Sequence, residues 1–145
     1  MATPTAGIPK HLRLEFVTPE RAIVHKDVDE VEVPGEEGYF GVLPGHAPML
    51  AALKTGELWY RKGSEKQYAF VAGGFAEVLP DRVAILAQVA ERAEDIDVQR
   101  AEASKRRAED RLAKPTTELD AERARIALIR ALARLNISQR ARMRS

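Results

Sequence analysis

Arg100, Arg107, Arg130 and Arg134 are the residues whose type and spacing propose chemistry. They fall on either side of Lys114-Pro115, at helical intervals, with Arg100 about as far upstream of the proline as Arg134 lies downstream. Two helices folded back at that turn bring Arg100 level with Arg134 and set Arg130 between them and Arg107. At ~1.5 Å per residue the four extend over roughly 10 Å, about the length of a nucleotide. Converging guanidinium groups repel one another unless an anion joins them, and phosphate matches their planar forks best. The alternative is that they splay into water or pair with Asp97, Glu102, Glu109 and Asp110 on their own helix; spacing alone leaves the two even.

Turnover has no visible machinery. Gly73-Gly74 is an isolated pair, and Pro44-Gly45-His46 lacks the glycine, lysine and hydroxyl pattern of a phosphate loop. Cysteine is absent, which excludes a disulfide framework, thiolate zinc sites and a cysteine nucleophile. The three histidines, His11, His25 and His46, are scattered without motif spacing to carboxylates or a nucleophile. His46, between turn residues, reads as a local hydrogen-bonding or contact residue. The sequence therefore points away from an enzyme and towards anion binding without hydrolysis, with no cofactor required.

The elements that must position these residues divide near position 90. With 145 residues, 45% hydrophobic and 31% charged, the chain has the composition of a soluble protein with one core and an attachment. No apolar run approaches the ~18 to 20 residues of a membrane span, and residues 1–11 read as a flexible arm. From Leu12 to about Ala90 apolar residues alternate, punctuated by Thr18-Pro19, Pro34-Gly35, Pro44-Gly45, Thr55-Gly56, Lys62-Gly63, Gly73-Gly74 and Pro80-Asp81. That spacing predicts a β sandwich of about ten short strands in two sheets, burying Phe16, Phe40, Trp59, Phe70 and Phe75 between them.

Residues 91–145 predict a helical hairpin. Ala101, Ser104, Ala108 and Leu112 share one stripe of a first helix, with Asp95 and Asp97 as candidate caps. Thr117 with Asp120 resembles a capping box opening a second helix from about Glu118. There Ala121, Ala124, Leu128, Ala131 and Leu135 suit the first helix, whereas Ile126, Ile129 and Ala133 face another partner, the sandwich or a second protein. The alanine-rich seam is weak at ~25 cal/mol per Å², so such a hairpin can open. A ligand bound only by the closed form would act as a switch. After Asp120 seven arginines, from Arg123 to Arg144, face only Glu122, which favours an acidic partner. Aromatic residues end at Phe75, which disfavours nucleic acid, since none remains to stack on bases. A β-sandwich adaptor for another acidic protein stands as the alternative.

The loop Gly41-Val42-Leu43-Pro44-Gly45-His46-Ala47-Pro48, the Gly73-Gly74-Phe75 turn and Ile96-Asp97-Val98-Gln99-Arg100-Ala101 opening the helical pair together resemble the epsilon subunit of bacterial F-type ATP synthases. The resemblance runs from about Leu12 to the C-terminus. It implies a non-catalytic central-stalk subunit beside gamma, touching the ring of c subunits. It also implies association with the membrane only through the complex, on the cytoplasmic face of the bacterial inner membrane. It further implies a hairpin that either folds on the sandwich or extends towards the beta and alpha subunits, restraining ATP hydrolysis. Ile96, Asp97, Arg100 and Ala101 match the family's ATP-binding motif, and Arg107, Arg130 and Arg134 stand where that site's further arginines stand, which implies ATP as a regulatory ligand. Subunit contacts are assigned on the same basis to Tyr39, His46, Met49, Arg123, Arg140 and Arg142. Where some relatives carry an acid before the Phe-Gly of the loop, this chain has Tyr39.

Overall fold

A computed structural model describes residues 7–143, so most of the expected arm, and Arg144, lie outside the described residues. Eight strands come first: β1 (Leu12–Val17), β2 (Ala22–Val28), β3 (Glu30–Gly35), β4 (Gly38–Val42), β5 (Met49–Ala52), β6 (Gly56–Lys62), β7 (Glu65–Leu79) and β8 (Arg82–Arg92). A single 3-10 turn, Ala93–Asp95, leads to helix α1 (Val98–Leu112) and helix α2 (Glu118–Met143). In β1, Leu12, Leu14 and Phe16 are fully buried while Arg13 is exposed, as alternation along a pleated strand requires.

The strands hydrogen-bond in the order β2-β1-β8-β7-β6-β3-β4, with β5 added on β7. β7 and β8 are the long members, and they serve both layers of the sandwich. The first half of β7 pairs with β6 from Val71 to Glu65, while its second half pairs with β5 from Phe75 to Val78. Likewise β1 runs parallel to β8 only over Arg82 to Leu86.

This corrects the expected count of about ten strands, because Gly73-Gly74 does not end a strand. Both glycines have positive φ, 77° and 118°, and the chain bends there from one layer into the other without losing its pairing to β8. A Cβ on Gly74 would collide with the Leu86 carbonyl oxygen, so the close approach of β8 depends on glycine.

A second correction concerns the aromatic residues. Phe16 is in the inter-sheet core and Phe40 packs against it. Phe75 is 54% exposed and pairs with Leu86 on an outer face. Phe70 is buried, but with Tyr68 and Ala72 on the outer side of β7, whereas Ala69 and Val71 point into the sandwich. A continuous apolar run such as Tyr68 to Ala72 is what a strand covered on both faces looks like.

The cover is the hairpin. Ile137, with Ala133 and Ala141 one turn to either side, packs on Tyr68, Phe70, Ala72, Trp59 and Val89. The hairpin is therefore closed on the sandwich. Ala101 and Ala108 of α1 and Ala124 and Ala131 of α2 are buried, and these small side chains let the two helices approach closely. Ile126 and Ile129 stay about half exposed, so of that second apolar side only Ala133 reaches the sandwich.

Candidate functional site

The first helix is launched by Asp97, whose Oδ1 accepts the backbone N–H of Arg100 at 3.1 Å. Asp95 lies in the 3-10 turn and does not cap α1. Glu91 and Arg92, expected in the helical part, still belong to β8. Thr117 Oγ1 accepts the Asp120 N–H at 3.1 Å and opens α2. Each cap sets the rotation of its helix, and with it the direction of every arginine that follows.

Between the end of β8, α1 and α2 lies a cleft of about 390 Å³. Glu91, Asp95 and Asp97 line it near the start of α1, Ala101 and Ser104 give it small side chains, and Arg100, Arg107 and Arg134 bring positive charge from both helices. Arg134 is already engaged. Its Nε donates to Glu91 Oε1 at 2.9 Å and its Nη2 to Oε2 at 3.3 Å, while its guanidinium carbon sits 4.4 Å from the centre of the Phe70 ring. Glu91 thus holds α2 to the sandwich as a phosphate oxygen would hold an arginine. Arg100 and Arg107 are exposed and, among the described residues, make no side-chain ion pair with Asp97, Glu102, Glu109 or Asp110.

Ile96 is buried in the cluster that joins sandwich and hairpin rather than lining the cleft. Arg130, one turn before Arg134, is also outside the lining, and its Nε is buried without a hydrogen-bond partner. From the sequence, Asp95 reads as a cap, Ser104 as part of the helix seam and Phe70 as core, and none of them, nor Glu91, is assigned to the cleft that they line or adjoin. Glu91 gives no local signal, because its partner is 43 residues away.

The residues assigned to subunit contacts fall in separate places. Tyr39 sits towards the β5–β6 turn, its hydroxyl accepting the Glu57 N–H at 3.2 Å and its ring 4.8 Å from Lys54 Nζ. His46 lies towards the β7–β8 turn, where the Gly45 N–H donates to the Pro80 carbonyl at 2.8 Å. Its Nδ1 is 2.7 Å from the Ala47 carbonyl, so that nitrogen carries the proton and donates. Met49 pairs with Val78 beside it, with Leu43 and Leu50 exposed nearby in the chain. Arg140 Nη1 approaches Glu57 Oε1 at 3.5 Å. Burial raises the Glu57 carboxyl above its ordinary value, although Arg140 and Lys66 pull it down. Arg123 lies on a different stretch of α2, facing α1.

A sandwich carrying an arginine-rich helical hairpin defines a class of protein, and comparison places the chain in it. Residues 11–93 match the β-sandwich domain, and residues 94–139 the long α-helix domain, of the ATP synthase delta/epsilon chain. The chain belongs to that family. The ATP synthase epsilon chain of Nitratidesulfovibrio vulgaris (strain DP4) is 51% identical over 128 residues, covering 88% of this chain and 96% of its own length. That of Bacillus velezensis is 46% identical over 129 residues, covering 89% and 98%. Among solved structures, a chain of the Euglena gracilis mitochondrial ATP synthase (OSCP/F1/c-ring) superposes with a TM-score of 0.79 at 25% identity, covering 94% of this chain and 84% of its own. A chain of the Tetrahymena thermophila mitochondrial enzyme, at 16% identity and a TM-score of 0.58 over 90% of this chain and 98% of its own, shares the fold.

The function follows at the same level: the chain acts as an epsilon subunit of the ATP synthase stalk, part of a membrane-associated complex. The adaptor alternative is thereby displaced. No described helix is long and apolar enough to cross a membrane.

Proposed function

We propose that this subunit is non-catalytic, transmits c-ring rotation with gamma at the cytoplasmic face of a bacterial inner membrane, and restrains ATP hydrolysis when its hairpin leaves the sandwich. ATP favours the closed form. The observation that carries this reading is that Arg100 and Arg107 on α1 meet Arg134 on α2 around one cleft only while the hairpin is closed. A polyanion bridging the two helices binds that form alone and stabilises it by mass action. The acids at the start of α1 accept N–H groups of a base, and the arginines take the phosphates. The unpartnered Nε of Arg130 fits an environment built for an acceptor.

Tyr39, His46 and Met49 serve gamma and c-ring contacts. On opening, Arg140 leaves Glu57 and, with Arg123 and Arg142, meets acidic segments of the beta and alpha subunits. Calorimetry on the full chain tests the nucleotide part: ATP binds, Arg100→Ala weakens it roughly tenfold by loss of a charge-assisted contact, and absence of heat at millimolar ATP removes the reading. The inhibitory part is tested in the assembled enzyme by two variants of opposite sign. Ending the chain after Asp95 removes the arginines and raises hydrolysis, whereas Ile137→Glu releases the helix with its arginines and lowers it. Hydrolysis that moves the same way in both removes the inhibitory part.

A further inference from the structure

Phe70 is the middle of a row that crosses three strands. Its cross-strand partner in β6 is Glu57 and its partner in β8 is Glu91, so the two acids flank the ring on the face that α2 covers. Neighbouring strands lie ~4.8 Å apart, which sets the acids ~10 Å from each other. Along α2, Arg134 and Arg140 are separated by ~9 Å at ~1.5 Å per residue, and at ~100° per residue each lies ~60° to one side of Ile137. The helix therefore crosses the row with Ile137 on the aromatic residues and one arginine over each acid, Arg134 on Glu91 and Arg140 on Glu57.

The two clasps are unequal. Glu91 receives hydrogen bonds on both oxygens, at 2.9 and 3.3 Å. Glu57 has Nη1 of Arg140 3.5 Å from its Oε1, while its Oε2 is buried and accepts no hydrogen bond among the described residues. The Glu57 side chain is 14% exposed and that of Arg140 59%, so closure takes the carboxylate out of water and leaves its counter-charge there. The other groups facing it do not make up the difference. Lys66 of β7 sits over the Trp59 ring, 4.0 Å from its centre, the Tyr39 hydroxyl of β4 takes the Glu57 backbone N–H, and Arg134 and Glu91 neutralise each other beyond Phe70.

We propose that Glu57 is a positioning residue for the closed hairpin, whose protonation seats the C-terminal half of α2 so that acid favours closure. This rests on the reading that the hairpin opens. Burial raises the Glu57 carboxyl above its ordinary value in the closed form, against the opposing pull of Arg140 and Lys66. Opening exposes the carboxyl, and its hold on the proton falls back towards the ordinary value. The closed form thus binds the proton more tightly than the open one. Its gain is complete below the open-form pKa and is lost as pH rises through the closed-form pKa. The closed-to-open ratio changes by up to about tenfold for each pH unit that separates the two. Where the open hairpin restrains hydrolysis, acid relieves the restraint.

Trp59 is the single tryptophan and packs beside the docked end of α2, so its quenching by neutral acrylamide reports undocking. The test uses the full chain carrying Glu91→Gln, which weakens the other clasp and leaves Glu57 the one acid of the row that titrates. The expected result is quenching that falls as pH is lowered from roughly 7 to roughly 5. Adding Glu57→Gln holds quenching low across that range. Adding Arg140→Ala raises quenching at neutral pH and steepens its fall in acid. Ile137→Lys, which undocks the helix without adding an acid, gives high quenching at every pH. The proposal is overturned if quenching in the Glu91→Gln chain ignores pH, or if its pH dependence survives Glu57→Gln or Ile137→Lys; raised quenching in Ile137→Lys then still upholds the opening itself. Quenching in Ile137→Lys that stays at the parent's level removes the opening, and the proposal with it.

Discussion

Replacing Arg134 by alanine should open the hairpin, and the size of the effect follows from its surroundings. The side chains of Arg134 and Glu91 are 25% and 32% exposed, so their two hydrogen bonds are partly screened and contribute about 1–2 kcal/mol to closure. Stacking on Phe70 adds about 0.5–1 kcal/mol. The loss is about 2 kcal/mol, which shifts the closed-to-open ratio about thirtyfold. The chain has no cysteine, so a single thiol introduced as Ser138→Cys, at a buried position of α2, reports opening through its rate of chemical labelling. Labelling should be about thirtyfold faster in the Arg134→Ala background, a factor set by the estimate above. Glu91→Gln should accelerate it in the same direction, and the double variant should gain little beyond Arg134→Ala, as expected for partners in one interaction. Labelling rates that match the parent in both single variants, or effects that simply add, refute the latch.

Three other outcomes follow from the same structure. Ile137→Ala, at a position 1% exposed, should cost about 2–5 kcal/mol of docking while β1 stays protected, so hydrogen exchange should quicken in α2 and not in Leu12–Val17; uniform quickening contradicts two separable units. Gly74→Ala should lower the unfolding free energy, read from denaturant titration, by about 3 kcal/mol or more, because its Cβ meets the Leu86 carbonyl, whereas Gly63→Ala, with open space around it, should cost only about 1 kcal/mol; equal costs contradict the close-approach argument. Partial burial raises the pKa of the Glu57 carboxyl above its ordinary value, so the folded state holds that proton more tightly than the unfolded. Its ionised form therefore opposes folding at neutral pH, and the penalty is relieved as pH falls through the raised pKa. Glu57→Gln should raise the melting temperature at neutral pH and flatten its dependence on acid; a lower melting temperature means that the Arg140 pair outweighs burial.

Much of the fold was legible from local pattern. Leu12, Leu14 and Phe16 alternate as a half-buried strand must, and all three are in the core. Asp97 and Thr117 cap their helices as their spacing to the next N–H groups predicts. Ala101, Ser104 and Ala108 share the face that meets α2. Gly73-Gly74 misled because a glycine pair looks the same whether it ends a strand or bends one; only the continuing β7–β8 register distinguishes them. Phe75 misled because alternation places a residue on one of two faces without saying which is covered.

What the sequence determined by itself is the set of local choices: strands by alternation, helices by composition and caps, and a row of arginines at helical spacing on both sides of a proline. Those depend on neighbours a few residues apart. The tertiary structure decided which charges meet. Arg134 finds Glu91 and Phe70, Arg107 and Arg123 line one groove from opposite helices, and Ile137 seals Tyr68 and Phe70. These pairings cross long stretches of chain and exist only because the hairpin is folded onto the sandwich, a consequence of burying Phe70 and Ile137 that no local spacing encodes.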